Sequence, residues 1–281
     1  MPNNITNQIT FGSDSTALAA FQQMAQDMRM EGQPLGSIDF NKLLPMPKEL
    51  DVEAGTRTDR GLKLVREYHQ ALTDLERQKP GLTPAEYALA LRKCEGLYRK
   101  QRLAAPMTWA LGEQAYSNVQ RFGSPTWYEW CSRNWGTKWN AYGFPPLEKD
   151  SDTMEFFTAW NSVPQIITLL SRKYPEQTIT YRWADEDIGR NVGEMTLKGG
   201  EVIDINVPEG GSREAYEMAA EIMGAALSDY DLCLTADGSS YEYRDPDAAP
   251  AADEGSQKPL QAHTEQAKSS KKKRGAKGQD R

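Results

Sequence analysis

Apolar and polar positions along this chain follow two rhythms, and the changes between them outline the predicted elements. "NITNQITFGS" places Ile5, Ile9 and Phe11 on one side of an alternating run, the period of a half-buried strand. A helix is predicted next, capped by Ser13, Asp14 or Ser15, with Leu18, Phe21, Met24 or Ala25, and Met28 at helical intervals until "EGQPLG" ends it. "SIDFNKLLPMP" then reads as a second strand through Ile38, Phe40 and Leu43 or Leu44, closed by two prolines that cannot donate to a ladder. Residues 1–56 are thus expected to be a strand-helix-strand part of an α+β body.

Residues 57–123 turn helical and read as an insertion. "DRGLKLVREYHQALTDLERQ" aligns Leu62, Val65, Tyr68 or His69, Leu72 and Leu75 on one face, and "TPAEYALALRKCEGLYRKQR" opens with a capping box from Thr83 to Glu86. The two should pack as a hairpin through "KPGL", with "MTWALGEQAYSNVQRF" as a third helix. Residues 124–232 return to mixed rhythms. Ser124 and Pro125 start a short helix, Gly136 stops it, and "TKWNAY" resumes alternation with Trp139 and Ala141 on one side. There follow a strand "MEFFTAW", a helix capped by Ser162, a strand "QTITYRWA", and a hairpin "VGEMTLKGGEVIDINV" turning on Gly199-Gly200. "SREAYEMAAEIMGAAL" is the closing helix, with Tyr216, Ala219 or Ala220, Met223 and Leu227 inward. Residues 245–281 lose all periodicity and are expected to form a disordered tail, acidic first and then basic.

The 38% hydrophobic content over 281 residues supports a buried core. Cys94, Cys131 and Cys233 are far apart without a CxxC pair, which suits reduced thiols rather than a disulfide or zinc framework. "MPNNITNQIT" has neither the cationic start nor the apolar run of a signal peptide, and no segment approaches a membrane span, so a cytoplasmic protein of the host cell is expected, with no membrane partner. Charge is divided unevenly. Within a net of −7, residues 57–105 carry eleven basic and six acidic groups, whereas residues 151–244 carry seven basic and seventeen acidic groups. Such asymmetry concerns partners rather than fold.

Three stretches carry a resemblance. "FNKLLPMP", "NWGTKWNA" and "FFTAW" followed by Pro164 resemble the YubB-like family of plasmid and phage proteins, over about residues 1–230. The resemblance implies that the C-terminal part, residues 124–232, is ferredoxin-like, a βαββαβ sandwich without an iron-sulfur cluster within a two-layer body, and that the setting is a mobile element with no assigned activity. "WADEDIG" stands where an acidic-glycine turn is common in that family.

Four of the seven tryptophans, Trp127, Trp130, Trp135 and Trp139, lie within fourteen residues, in "WYEWCSRNWGTKWN". They suit either a structural plug or a platform for flat ligands such as nucleobases, with Arg133 and Lys138 supplying charge. Helical spacing of the first two and alternation at Trp139 favour the plug, which would leave Asn134, Thr137, Lys138 and Asn140 on a ligand- or partner-facing rim. Arg92, Lys93, Arg99, Lys100 and Arg102 fall close enough in helical turns to form a basic stripe, either a solvated face or a contact for nucleic acid or an acidic protein. The tail's "KKKR" suits a nonspecific tether to nucleic acid or an aid to solubility.

Catalytic signals are weak. Asp185, Glu186 and Asp187, with Asp204, are oxygen donors suited to magnesium, yet no nucleophile or base accompanies them. The two histidines, His69 and His263, sit in a helix and in the tail, and "GEMTLKGGE" is a hairpin turn rather than a phosphate loop. No catalytic residue, metal site or cofactor is therefore expected. The leading expectation is an accessory protein that binds a host macromolecule, most readily a protein, without catalysis. Single-stranded nucleic-acid binding is the alternative, and a metal-dependent phosphoesterase the third reading.

Overall fold

The computed structural model describes residues 3–12, 14–148 and 151–244. The expected disordered tail and its "KKKR", His263, and Ser13 as a candidate cap lie outside the described residues.

Strand β1, Asn4–Thr10, runs through the middle of the larger sheet because it pairs on both sides. It is antiparallel to β2, Thr153–Ala159, and to β3, Thr178–Asp185, so β2 and β3 are parallel and flank it. Beyond β3 come β4, Gly193–Lys198, and the edge strand β5, Glu201–Asn206, giving the order β2-β1-β3-β4-β5. Gly199 and Gly200, at φ 59° and 90°, supply the left-handed pair that a tight hairpin requires.

Period-two patterning sorts the sheet residues between two covers. Ile5 and Ile9 of β1, Met154 and Phe156 of β2, and Ile179 and Tyr181 of β3 share one core with α1, Ser15–Met28, and α6, Pro164–Lys173. Asp14 starts α1 by accepting from the Thr16 and Ala17 amides at 2.9 and 3.0 Å, and Phe21, Met24, Ala25 and Met28 form its buried face. The opposite face meets α7, Arg213–Met223, through Ala215, Ala219 and Ile222 packed with Ala184, Ile188 and Val192. Helices therefore cover both faces, where two layers were expected. The Gln8 amide donates to the Ile222 carbonyl at 2.8 Å, and Arg182 reaches Glu221 at 3.0 Å, tying α7 to the sheet.

Four local expectations are corrected. Residues 38–44 are not a strand: Asp39 accepts from the Asn41 amide at 3.0 Å and sets a single 3-10 turn at Phe40–Lys42, a side-chain bond that competes with ladder formation. Residues 137–142 are not a strand of the sheet either, keeping only an isolated antiparallel bridge between Tyr142 and Phe157. The residue preceding α6 is Val163 rather than Ser162, because the Val163 amide donates to the Tyr181 hydroxyl at 2.8 Å. In α7, Gly224 at φ 61° ends the helix before Leu227, which falls in a separate turn at Leu227–Tyr230.

Between the turn Lys48–Leu50 and the tryptophan segment stand α2, Thr56–Gln78, α3, Pro84–Ala104, and α4, Pro106–Phe122. Helices α2 and α4 cross closely at Gly61 and Gly112, where a Cβ on either residue would overlap the other helix's backbone. Buried Asn118 of α4 donates to the carbonyls of Glu49 at 2.8 Å and Pro125 at 3.0 Å, fastening the helices to the body. Helix α3 keeps its predicted capping box at Thr83 and Glu86, but it buries no residue fully. A short ladder of β6, Leu232–Leu234, and β7, Tyr241–Tyr243, completes the described chain.

At the centre, Asn7 is fully buried and hydrogen-bonded in three directions: its amide donates to Thr158 Oγ1 at 2.9 Å and to the Ile5 carbonyl at 2.8 Å, and its Oδ1 accepts from the Tyr181 hydroxyl at 2.6 Å. Burial pushes the Tyr181 phenol well above its ordinary range, so it remains a donor. Replacing Tyr181 with Phe removes one hydroxyl and strands Asn7 Oδ1 and the Val163 amide. The expected loss is about 2 to 4 kcal/mol, read as a lower thermal midpoint with unchanged far-ultraviolet circular dichroism. A midpoint within 2 °C of wild type, about half a kcal/mol for a chain this long, would show that the network contributes little.

Candidate functional site

The tryptophan segment begins where Thr126 caps α5, Trp127–Asn134, its hydroxyl accepting from the Tyr128 amide at 3.3 Å and donating to Glu129 at 2.6 Å. Gly136, at φ 83°, then turns the chain out of the helix. Trp130 and Trp135 are buried and meet edge to face with centroids 5.6 Å apart. Trp135 also meets Phe40 at 5.8 Å and donates through Nε1 to the Leu44 carbonyl at 2.9 Å. Asn140 completes the junction by accepting from the Phe40 amide at 3.0 Å and donating to Asp39 at 2.7 Å. The stretches "FNKLLPMP" and "NWGTKWNA", about a hundred residues apart, are therefore two halves of one clamp. Trp127 and Trp139 are half-buried at its margins.

Most of the expected rim is engaged inside this clamp. Thr137 is 1% exposed, its hydroxyl donating to the Ala159 carbonyl at 2.9 Å and accepting from the Ala159 amide at 3.0 Å. Together with the Tyr142–Phe157 bridge it closes the outer edge of β2. Asn134 donates to the Trp130 carbonyl at 2.9 Å, and Asn140 is committed to the 39–40 turn. Lys138 alone of the four carries its charge over aromatic rings, 4.7 Å from Trp139 and 5.8 Å from Tyr128. Trp160, which follows β2, holds φ 74° and is 48% exposed. A bulky residue in the left-handed region signals local strain, and nothing in the alternation of "FFTAW" announces it.

Among the described residues, the acids, His69 and Cys131 lie apart. Asp185 accepts from the Asp187 amide at 2.9 Å and from Asn3 and Asn191 at 3.3 Å each, so its carboxylate shapes a turn. Glu186 accepts from Asn4 at 2.8 Å, Asp187 faces Arg190 at 3.8 Å, and Asp204 lies on β5 opposite Thr196. Among the described residues no three His, Cys, Asp or Glu side chains gather into a metal-binding group. Cys131 is buried beside Met46, and burial pushes its thiol up to about 12, leaving it protonated at neutral pH. His69 stacks on Tyr116 at 4.4 Å.

Two surfaces are open among the described residues. On α3, Arg92, Lys93, Arg99, Lys100 and Arg102 are all exposed, and none forms an ion pair among the described residues. Leu89, Leu97 and Leu103 are exposed among them. The second surface is β5, exposed at every position, with Val202, Ile203, Ile205 and the following Val207 each between 48% and 60% exposed. The "GEVIDINV" half of the hairpin reads as a strand, but its lack of cover depends on where α6 and α7 end and has no local signal.

Parallel β2 and β3 around an antiparallel β1, with helices packed on the sheet, define an α+β protein with a ferredoxin-like domain. Residues 134–226 match the family described as the ferredoxin-like domain in Api92-like protein. The match begins inside the tryptophan clamp and ends just after α7, while β1, which completes the sheet, lies outside it. Among solved structures, protein api92 from Yersinia pseudotuberculosis is similar at a TM-score of 0.35 and 10% identity, over 75% of this chain and 99% of that one. No curated protein matches the chain. No described helix is long and apolar enough to cross a membrane.

The clamp predicts graded losses at Trp135. Trp135→Phe keeps a ring but strands the Leu44 carbonyl, at a cost of about 1 to 2 kcal/mol. Trp135→Ala empties the junction between the two motifs, at a cost of about 3 to 5 kcal/mol. Chemical denaturation of both variants measures the difference, and equal losses would mean that the ring itself contributes nothing.

Proposed function

We propose that this chain is a non-catalytic accessory protein that acts by binding another macromolecule, a protein in the first instance. The observation that carries the reading is the uncovered strand β5: an edge with exposed Val202, Ile203, Ile205 and Val207 at one side of a sheet whose other edge is closed by Thr137 and Tyr142. Edge strands of soluble proteins are ordinarily short, charged, bulged or covered; β5 carries Glu201, Asp204 and a bulge, but its run of exposed aliphatic side chains is more than such an edge needs and suits a contact surface. The scattered placement of Asp185, Asp187, Asp204, His69 and Cys131 supports binding over catalysis. The resemblance of "FNKLLPMP", "NWGTKWNA" and "FFTAW" to the YubB-like family supports a phage or plasmid setting, in which the partner is a host protein such as a defence component and the compartment is the host cytoplasm. Affinity capture from bacterial cells is expected to yield one stoichiometric partner with the wild-type chain and to lose it with I203K/I205K. Absence of any stoichiometric partner, or equal capture by the variant, would reject this role for β5.

Single-stranded nucleic-acid binding is favoured by one observation, the five exposed cations on α3 without ion pairs among the described residues. Burial of Trp130 and Trp135 removes two rings from any stacking platform, leaving Lys138, Trp139 and Tyr128 as its aromatic component. If α3 contacts phosphates, filter binding to a single-stranded oligonucleotide falls linearly with the logarithm of salt, with a slope of about −0.7 per phosphate contacted. R92A/K93A/K100A should then make the slope shallower by about 2. A slope unaffected by the triple substitution removes α3 from the contact.

A further inference from the structure

The pairing of β5 with β4 contains a bulge that sorts its side chains by chemistry. Val202 pairs with Leu197 and Ile205 with Met195, both of which belong to the core shared with α1 and α6. Asp204 pairs with Thr196 and Asn206 with Glu194, on the face that carries α7. Ile203 is the extra residue at the bulge, and its insertion changes the phase of the strand. One face of the edge is therefore apolar, with Val202 and Ile205, and the other polar, with Asp204 and Asn206.

The polar face adjoins a concentration of negative charge. A cavity of about 380 Å³ between the sheet and α7 is lined by Arg182, Glu194, Glu214, Glu217, Met218 and Glu221. Its one guanidinium is already divided between Glu194 and Glu221, at 3.0 Å each, and Glu217 is held by Arg213 at 2.7 Å. Among the described residues neither Glu214 nor Asp204 is in an ion pair, and Glu214 accepts only from the Asn206 amide, at 2.8 Å. Lys198, opposite Glu201, and Arg172, whose side chain lies against Gly200, are cations at the turn end of the hairpin, away from Asp204 and Glu214.

Resting on the reading of β5 as a contact surface, we propose that the edge takes an extended segment of a partner protein in which apolar residues alternate with lysine or arginine, added as a sixth strand. Backbone pairing would satisfy the open edge, apolar side chains would continue the face of Val202 and Ile205, and cations would face Asp204 and Glu214. The same charge argues against a second copy, since antiparallel pairing of two β5 strands brings two sets of these carboxylates together, and like charges across strands repel.

The test uses the full chain with dye-labelled, end-blocked heptapeptides: alternating valine and lysine, alternating valine and glutamate, and alternating serine and lysine. Fluorescence anisotropy is expected to show the valine-lysine peptide binding at least tenfold tighter than either other peptide. That peptide should also slow amide hydrogen exchange across residues 201–207. D204K/E214K, which changes exposed side chains, should weaken the valine-lysine peptide at least tenfold and strengthen the valine-glutamate one. Equal binding of the valine-lysine and valine-glutamate peptides, or unchanged exchange at 201–207, would overturn the proposal. So would a dimer in sedimentation equilibrium that Ile205→Lys dissociates, because β5 would then serve a second copy. A captured partner that is lost with I203K/I205K would leave β5 as a contact surface even if all three peptides fail, so the two conclusions can fall separately.

Discussion

A buried polar junction holds the sheet in register. Asn7 sits where an apolar residue would pack more cheaply, and it is tolerated because Thr158, Tyr181 and the Ile5 carbonyl meet its hydrogen-bonding groups. A one-residue slip of β1 would leave an unsatisfied amide in the core and turn Ile5 and Ile9 to the wrong face. The junction also sets the start of α6, since Tyr181 takes the Val163 amide. Three strands and the entry of one helix thus depend on a few hydrogen bonds that only one alignment satisfies.

The aromatic clamp adds a second constraint at the edge of β2. Trp130 packs on Trp135, whose ring meets Phe40, and Phe40 in turn meets Phe156 at 6.1 Å, so the clamp is continuous with the core. Thr137 and Tyr142 use the same segment to cover the outer backbone of β2. One edge of the sheet is consequently sealed by a conformationally fixed loop, while β5 at the other edge stays open. That asymmetry, more than any single side chain, distinguishes the two edges of the sheet.

Electrostatics reinforces the division. The basic groups of α3 lie on a helix that buries no residue fully, and the acidic groups gather around α7 and the β4–β5 hairpin. The two surfaces suit partners of opposite charge. Because exposed charges are screened beyond about a Debye length, each surface acts mainly through what touches it.

Periodicity in the sequence was sufficient for the helices of residues 56–122, the strand β1, and the Gly199-Gly200 hairpin, because capping boxes, alternation and left-handed glycines are local and strong signals. Spacing and alternation also favoured interior positions for Trp127, Trp130 and Trp139, yet of these only Trp130 is buried, while Trp135, which no periodicity singled out, is buried with it. Periodicity misread residues 38–44, where the local Asp39–Asn41 bond and Asn140, a hundred residues away, together hold the backbone in a turn. Only the tertiary structure could place α7 on the opposite face of the sheet, join "FNKLLPMP" to "NWGTKWNA", and leave β5 without a covering layer. Those outcomes depend on which elements meet in space, whereas patterning records only which side of each element prefers water.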